Sequence, residues 1–215
     1  MYHDAAGFRD EVYRGLGINY AQEIGSAGHL GFDGYLGEPV ILGDEAKTSD
    51  EKLRGLFGGT VTYDTPLTGL RFRLSAFTHK NENKTTGEKI RENSNAVSAE
   101  YVANNWDLKA EYARVKEAVK KESYYIQAGY TFAEKWTPYG RYNYIATDTT
   151  QKGDASFYQK AFVVGLDYKI NGNLSVRTEN HFNKGYGLPV ASGEVAAGAG
   201  KDKWNLFAVS LNFIF

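Results

Sequence analysis

Every second side chain of WNLFAVSLNFIF, residues 204–215, is apolar: Phe207, Val209, Leu211, Phe213 and Phe215 share one face of an extended segment. An apolar face with a period of two, carried to the last residue, suits a strand with lipid on one side and water on the other. Nowhere among the 215 residues does an apolar run approach the ~18–20 that a spanning helix requires. Mean hydropathy is −0.49 although 42% of residues are hydrophobic, so apolar and polar positions are interleaved. Sixteen tyrosines, twelve phenylalanines and 24 glycines, with four prolines lying outside most of the alternating segments, favour strands and turns.

Several classes are disfavoured. Zero cysteines argue against a disulfide scaffold and a thiolate zinc site. A net charge of −1 supplies no field for nucleic acid, and none is expected as a partner. His3, His29, His79 and His181 show no metal-ligand spacing, so neither a metal nor a cofactor is expected. GYGLPVASGEVAAGAG, residues 185–200, lacks the spacing of a phosphate-binding loop and reads as a flexible connection. An exported protein is expected to begin with a basic region followed by an apolar stretch; Met1-Tyr2-His3-Asp4 carries neither, so a removed signal or a missing N-terminal part is expected.

Alternation predicts eleven strands, at residues 12–24, 29–37, 55–63, 70–78, 95–103, 106–115, 123–132, 136–145, 159–170, 173–182 and 204–215. Most are near the ~9–11 residues with which a tilted strand crosses the hydrocarbon. The connections alternate between short (25–28, 64–69, 104–105, 133–135, 171–172) and long (38–54, 79–94, 116–122, 146–158, 183–203). Short periplasmic turns and long outer loops are the pattern of an outer-membrane barrel. Asn-Asn and Asn-Gly suit the short turns because these residues tolerate positive φ. This topology puts the carboxyl terminus in the periplasm and makes the first strand run downward. Since bacterial single-chain barrels have an even strand number, a missing upstream strand is expected, or a poor first strand at residues 2–8.

The alternation also divides the side chains. Leu16, Ile18, Tyr20, Leu70, Phe72, Leu74, Val97, Ala99, Tyr101, Leu108, Ala110, Tyr112, Ile126, Ala128, Tyr130, Phe162, Val164, Leu166, Tyr168, Leu174 and Val176 are predicted to face lipid. Arg14, Arg114 and Lys160 interrupt that face near outer strand ends, where they can snorkel. Trp106, Phe132, Trp136, Phe213 and Phe215 are expected in a periplasmic aromatic girdle, and Tyr144, Phe182, Trp204 and Phe207 in an outer one.

The other face carries Arg71, Arg73, Lys109, Arg141, Lys169 and Arg177 beside Glu23, Asp33, Glu100, Asp107, Glu111, Asp167 and Glu179. An isolated buried charge costs several kcal/mol, so so many charges imply a hydrated bore. The pore-lining candidates are Arg71, Arg73, Glu100, Lys109, Glu111, Arg141, Asp167, Lys169, Arg177 and Glu179. Most are expected to pair across strands; Arg71, Arg73, Arg141 and Arg177 could also focus a field on anions. Gly15, Gly17, Gly129 and Gly165 share this face and are expected to reduce bulk along a channel. His181, near Asn180 and Ser175, is the candidate for a wall hydrolase, yet His181 and Ser175 lie six residues apart, roughly 20 Å along a strand. No catalytic residue is expected.

The terminal Phe215, with apolar positions spaced by two before it, resembles the carboxyl-terminal signal that the Gram-negative barrel-assembly machinery reads. SYYIQAGYTFAEKWTPYGRYNYI and AFVVGLDYKINGNLSVRTENHF resemble the closing hairpins of Gram-negative porins, including the phosphate-selective porin-like group. The likeness spans residues 55–215 and implies an all-β, antiparallel up-and-down transmembrane barrel, with about 11–12 strands in this chain. The chain, residues 1–215 as a single barrel domain, is expected to be either the N-terminally incomplete C-terminal part of a porin of roughly 16–18 strands or a small barrel of about twelve strands. The likeness further implies an outer-membrane channel for passive diffusion of small hydrophilic solutes or ions, in contact with lipid and lipopolysaccharide, with a homotrimer as one assembly. No lysine ladder accompanies the likeness, so a phosphate preference is not implied. The alternative is a non-conducting barrel whose outer loops bind a surface partner or support the envelope.

Overall fold

A computed structural model describes residues 13–39, 51–186 and 202–213. Within them a single antiparallel sheet runs through eleven strands in chain order. The strands are β1 (Tyr13–Glu23), β2 (His29–Pro39), β3 (Glu51–Asp64), β4 (Leu70–Asn83), β5 (Lys89–Ala103), β6 (Trp106–Lys116), β7 (Lys120–Tyr130), β8 (Trp136–Ala146), β9 (Tyr158–Lys169), β10 (Leu174–Gly185) and β11 (Lys203–Phe213). Among the described residues β1 pairs only with β2 and β11 only with β10, so the sheet is not closed. Each expected strand overlaps one of these. The candidate strand at residues 2–8, and Phe215, lie outside the described residues.

Several stretches expected as loops prove to be ladder, among them residues 51–54 of β3, which pair with 80–83 of β4. The hairpin β4–β5 continues through residues 79–83 and 89–94 to a turn at 84–88, and β6 and β7 approach until only residues 117–119 connect them. Alternation marks a strand only where its two faces meet different solvents; beyond the membrane both meet water, so the ladder persists without the pattern. The turns differ as well. Asn104 and Asn105 adopt φ of 52° and 69°, as expected, but Asn171-Gly172 uses no positive φ. There the Asn173 amide donates to Asn171 Oδ1 at 2.9 Å, and the side chain shapes the turn instead.

Directly opposed residues share a face, so the register sorts every side chain. One face carries Leu16, Ile18, Phe57, Leu74, Val97, Ile126, Phe162, Val164, Phe207 and Leu211, all exposed. An apolar surface continuous over eleven strands is far larger than soluble proteins leave in water, and hydrocarbon is the solvent that suits it. Apolar packing on the opposite face is local: Ala113, Val115 and Ile145 cluster against Ala96.

Candidate pore wall

The polar face is organised by a line that crosses all eleven strands. Successive pairings join Glu23, His29, Asp64, Arg71, Glu100, Lys109, Gln127, Arg141, Val163, His181 and Leu206. From β3 to β6 the sign alternates at every step. Arg71 Nε donates to Asp64 Oδ1 at 2.5 Å and Arg71 Nη1 reaches Glu100 Oε1 at 3.5 Å. Lys109 lies opposite Glu100 but leans along its own strand to Asp107, 3.0 Å away.

The remaining candidates flank this line. Arg73 and Glu111 sit one row towards the long connections, in a row running Thr62, Arg73, Ser98, Glu111 and Tyr125. Glu179 lies one row towards the short turns, Asp167 and Arg177 face each other in the next, and Lys169 pairs with Ser175 beyond them. The pore-lining candidates therefore share one face, and the expected pairing across strands is seen for Arg71, Arg141 and Arg177, whereas Lys109 pairs within its own strand. Arg73 and Lys169 make no ion pair among the described residues.

Tyr139 was not foreseen as a wall residue. Its row reads Asp107, Gly129, Tyr139, Gly165, Glu179, so a glycine stands on either side of the ring. A Cβ on Gly165 would lie 2.2 Å from Tyr139 Cζ. The ring thus crosses β9 where there is no side chain, and its hydroxyl donates to Glu179 Oε1 on β10 at 2.5 Å. Glu179 also meets Arg141 Nη2 at 3.4 Å and His181 Nε2 at 2.8 Å, while Arg177, held bidentately by Asp167, lies 5.6 Å from the Tyr139 ring centre. Gly165 therefore does not widen a channel, because the space it leaves is taken by the Tyr139 ring. His181 engages Glu179, which gives the imidazole a structural partner on the wall.

The girdle residues also sort by register. Trp106 packs edge-on against Tyr130 at 5.0 Å and Trp136 lies 4.1 Å from Tyr168, both pairs at the short-turn end of the apolar face. Phe132 bridges to Trp136, and Phe213 is exposed at the same end. At the other end Tyr144 lies tilted against Tyr124 at 5.0 Å, with Phe182 one row inward on the same face, but Phe207, expected in this outer girdle, falls at mid-strand opposite Asn180. Trp204 departs from expectation: it pairs with Asn183 on the polar face, and its Nε1 donates to the Gly185 carbonyl at 3.4 Å. Its position one residue out of phase with Phe207 fixes that placement.

Outside the spanning strands, the connection from β8 to β9 is organised by Asp148. Hydrogen bonds from Gln151 Nε2 at 2.8 Å, Thr150 Oγ1 at 2.7 Å and the Thr150 amide at 2.9 Å hold its carboxyl below the usual carboxylate range. A depressed folded value means that the stabilisation is complete above the ordinary carboxylate pKa and is lost as pH falls through the folded one. Asp148→Ala is expected to speed hydrogen exchange of the Thr150 amide roughly tenfold at pH 7. In the wild type the same amide should lose protection only on acidification past the carboxylate range; protection unchanged by either treatment would refute this account.

An antiparallel sheet with one apolar and one charged face, ordered strand next to strand, defines the wall of a membrane-spanning β-barrel. The family model described as Gram-negative porin matches residues 6–186, and the chain belongs to that family. That assigns it to the outer membrane. Among curated proteins no match was found. Solved structures share the fold at low identity. OmpF of Salmonella typhi, in complex with daunomycin, is 18% identical with a TM-score of 0.63, over 92% of this chain and 61% of that one. The anion-selective porin from Comamonas acidovorans is 16% identical with a TM-score of 0.59, over 84% and 55%. The outer membrane channel DcaP of Acinetobacter baumannii is 10% identical with a TM-score of 0.59, over 94% and 63%. The chain thus spans less than two thirds of the length of each.

Proposed function

We propose that the polar face lines a water-filled outer-membrane channel through which small hydrophilic solutes or ions diffuse passively, with no chemical step. The observation that carries this reading is the charged line across the sheet, set against an exposed apolar face. In hydrocarbon the free edges of β1 and β11 must each be paired, so the conducting form joins them to further β-structure in a single barrel. The carboxyl terminus then faces the periplasm, and the chain's last segment, β11 with the terminal residues that follow it in sequence, is what the assembly machinery reads. Lipid and lipopolysaccharide cover the apolar face, and a homotrimer is the assembly to test.

Purified protein in planar bilayers is expected to pass stepwise current. Arg73, unpaired among the described residues, adds positive field to the wall, so Arg73→Gln should shift the reversal potential in a salt gradient towards cation preference. A folded, heat-modifiable barrel that passes no current would exclude the channel. It would favour instead a lumen closed by pairs such as Arg177–Asp167, with outer loops that bind a surface partner.

A further inference from the structure

The apolar face does not stay apolar to its end. Arg54 on β3, Lys80 on β4 and Arg91 on β5 are directly opposed in register and form a row of three cations at the long-connection end of that face. On β4 the face reads Leu70, Phe72, Leu74, Ala76, Thr78, Lys80, so the row begins where the apolar band stops. Like charges opposed on neighbouring strands repel and destabilise a sheet unless an anion lies among them.

A bulge builds this row. The pairing of β3 with β4 shifts between Arg54 and Phe57, where Gly55 adopts φ of 62°. Without the extra residue Arg54 would fall on the polar face; with it, Arg54 stands beside Lys80. The nearby carboxylates answer only part of this charge, with Glu82 held by Arg54 of the row itself. Glu82 Oε2 takes Arg54 Nε at 2.9 Å and Glu82 Oε1 lies 3.7 Å from Lys89, while Glu38 accepts from the Gly55 amide at 3.1 Å. No carboxylate among the described residues pairs with Lys80 or Arg91. These six charged side chains line a depression of about 440 Å³, four of them cationic and two anionic.

We propose that this depression binds the phosphate of an outer-leaflet glycolipid headgroup, with Lys80 and Arg91 as its free charges and Arg54 held in place by Glu82. The inference rests on the reading of the apolar face as lipid-facing, which puts the row at headgroup height. A second cationic row, Lys160, Lys184 and Lys203, marks the same rim across β9 to β11. There Lys160 lies over the rings of Tyr144 and Tyr158, at 5.8 and 5.0 Å. That row serves as a charge-matched control.

The test titrates the detergent-solubilised full chain with bisphosphorylated lipid A, its dephosphorylated form and inorganic pyrophosphate, read by native mass spectrometry. At about 1 kcal/mol per basic side chain, Lys80→Gln/Arg91→Gln should weaken lipid A binding about 20- to 30-fold, and each single substitution about fivefold. Lys184→Gln/Lys203→Gln should change it less than about threefold. Equal binding by wild type and the Lys80/Arg91 variant, or of the dephosphorylated lipid, would overturn the proposal. Pyrophosphate bound as tightly as lipid A would overturn it too, since the site would then serve free anions. Conductance measured on the same preparations separates the two readings: lipid bound without current defeats the channel alone, and current without phosphate-dependent lipid binding defeats this site alone.

Discussion

Leu74→Arg is expected to lower the stability of the membrane-folded protein by about 2–4 kcal/mol, the cost of a cation facing lipid near the bilayer midplane. Leu74 is 58% exposed in the middle of the apolar face of β4, between Val61 on β3 and Val97 on β5. Its chain neighbour Arg73 already carries the same charge without conflict because it points the other way, opposite Thr62 and Ser98. Denaturant titration of the protein folded into lipid vesicles measures the loss, with Arg73→Leu as the companion, expected to cost less than about 1 kcal/mol. Equal losses at the two positions would mean that the two faces do not meet different solvents.

The second large effect is expected at Gly165. A Cβ there meets Tyr139 Cζ at 2.2 Å, the Tyr139 hydroxyl at 2.5 Å and Cε1 at 2.6 Å, so Gly165→Val must displace the ring. Displacement breaks the hydroxyl's hydrogen bond to Glu179 and leaves a wall carboxylate short of a donor, at about 1.5–3 kcal/mol for a bond to a charged group, with overpacking strain in addition. We expect a total near 3 kcal/mol. In a Tyr139→Ala background the same valine has nothing to strike and should cost less than about 1 kcal/mol. That coupling is the readout, since a general dislike of valine at this position would give the same loss in both backgrounds.

The two predictions differ in how far ahead they could be seen. Leu74 and Arg73 are adjacent in a stretch that alternates, and their opposite fates follow from a period of two. The Tyr139 joint depends on three residues from three strands meeting in one row, and alternation places each on a face without saying which neighbour it meets. Gly165 taken alone reads as missing bulk; only the register shows it as the seat of a ring from β8. The outer-face row was hidden for a related reason, because the bulge at Gly55 inverts the phase of β3 just before Arg54. A strict period then assigns that arginine to the wrong face.

By itself the sequence determined where the described strands lie and, apart from positions such as Trp204 and Arg54, which of the two faces their side chains take, because a face towards an apolar medium and a face towards a polar one impress themselves on every second residue. The tertiary structure decided which charges touch, how far the ladders extend beyond the membrane, and where rings and cations gather. Those outcomes depend on register and bulges, which are set by the fit of neighbouring strands rather than by the pattern within any one of them.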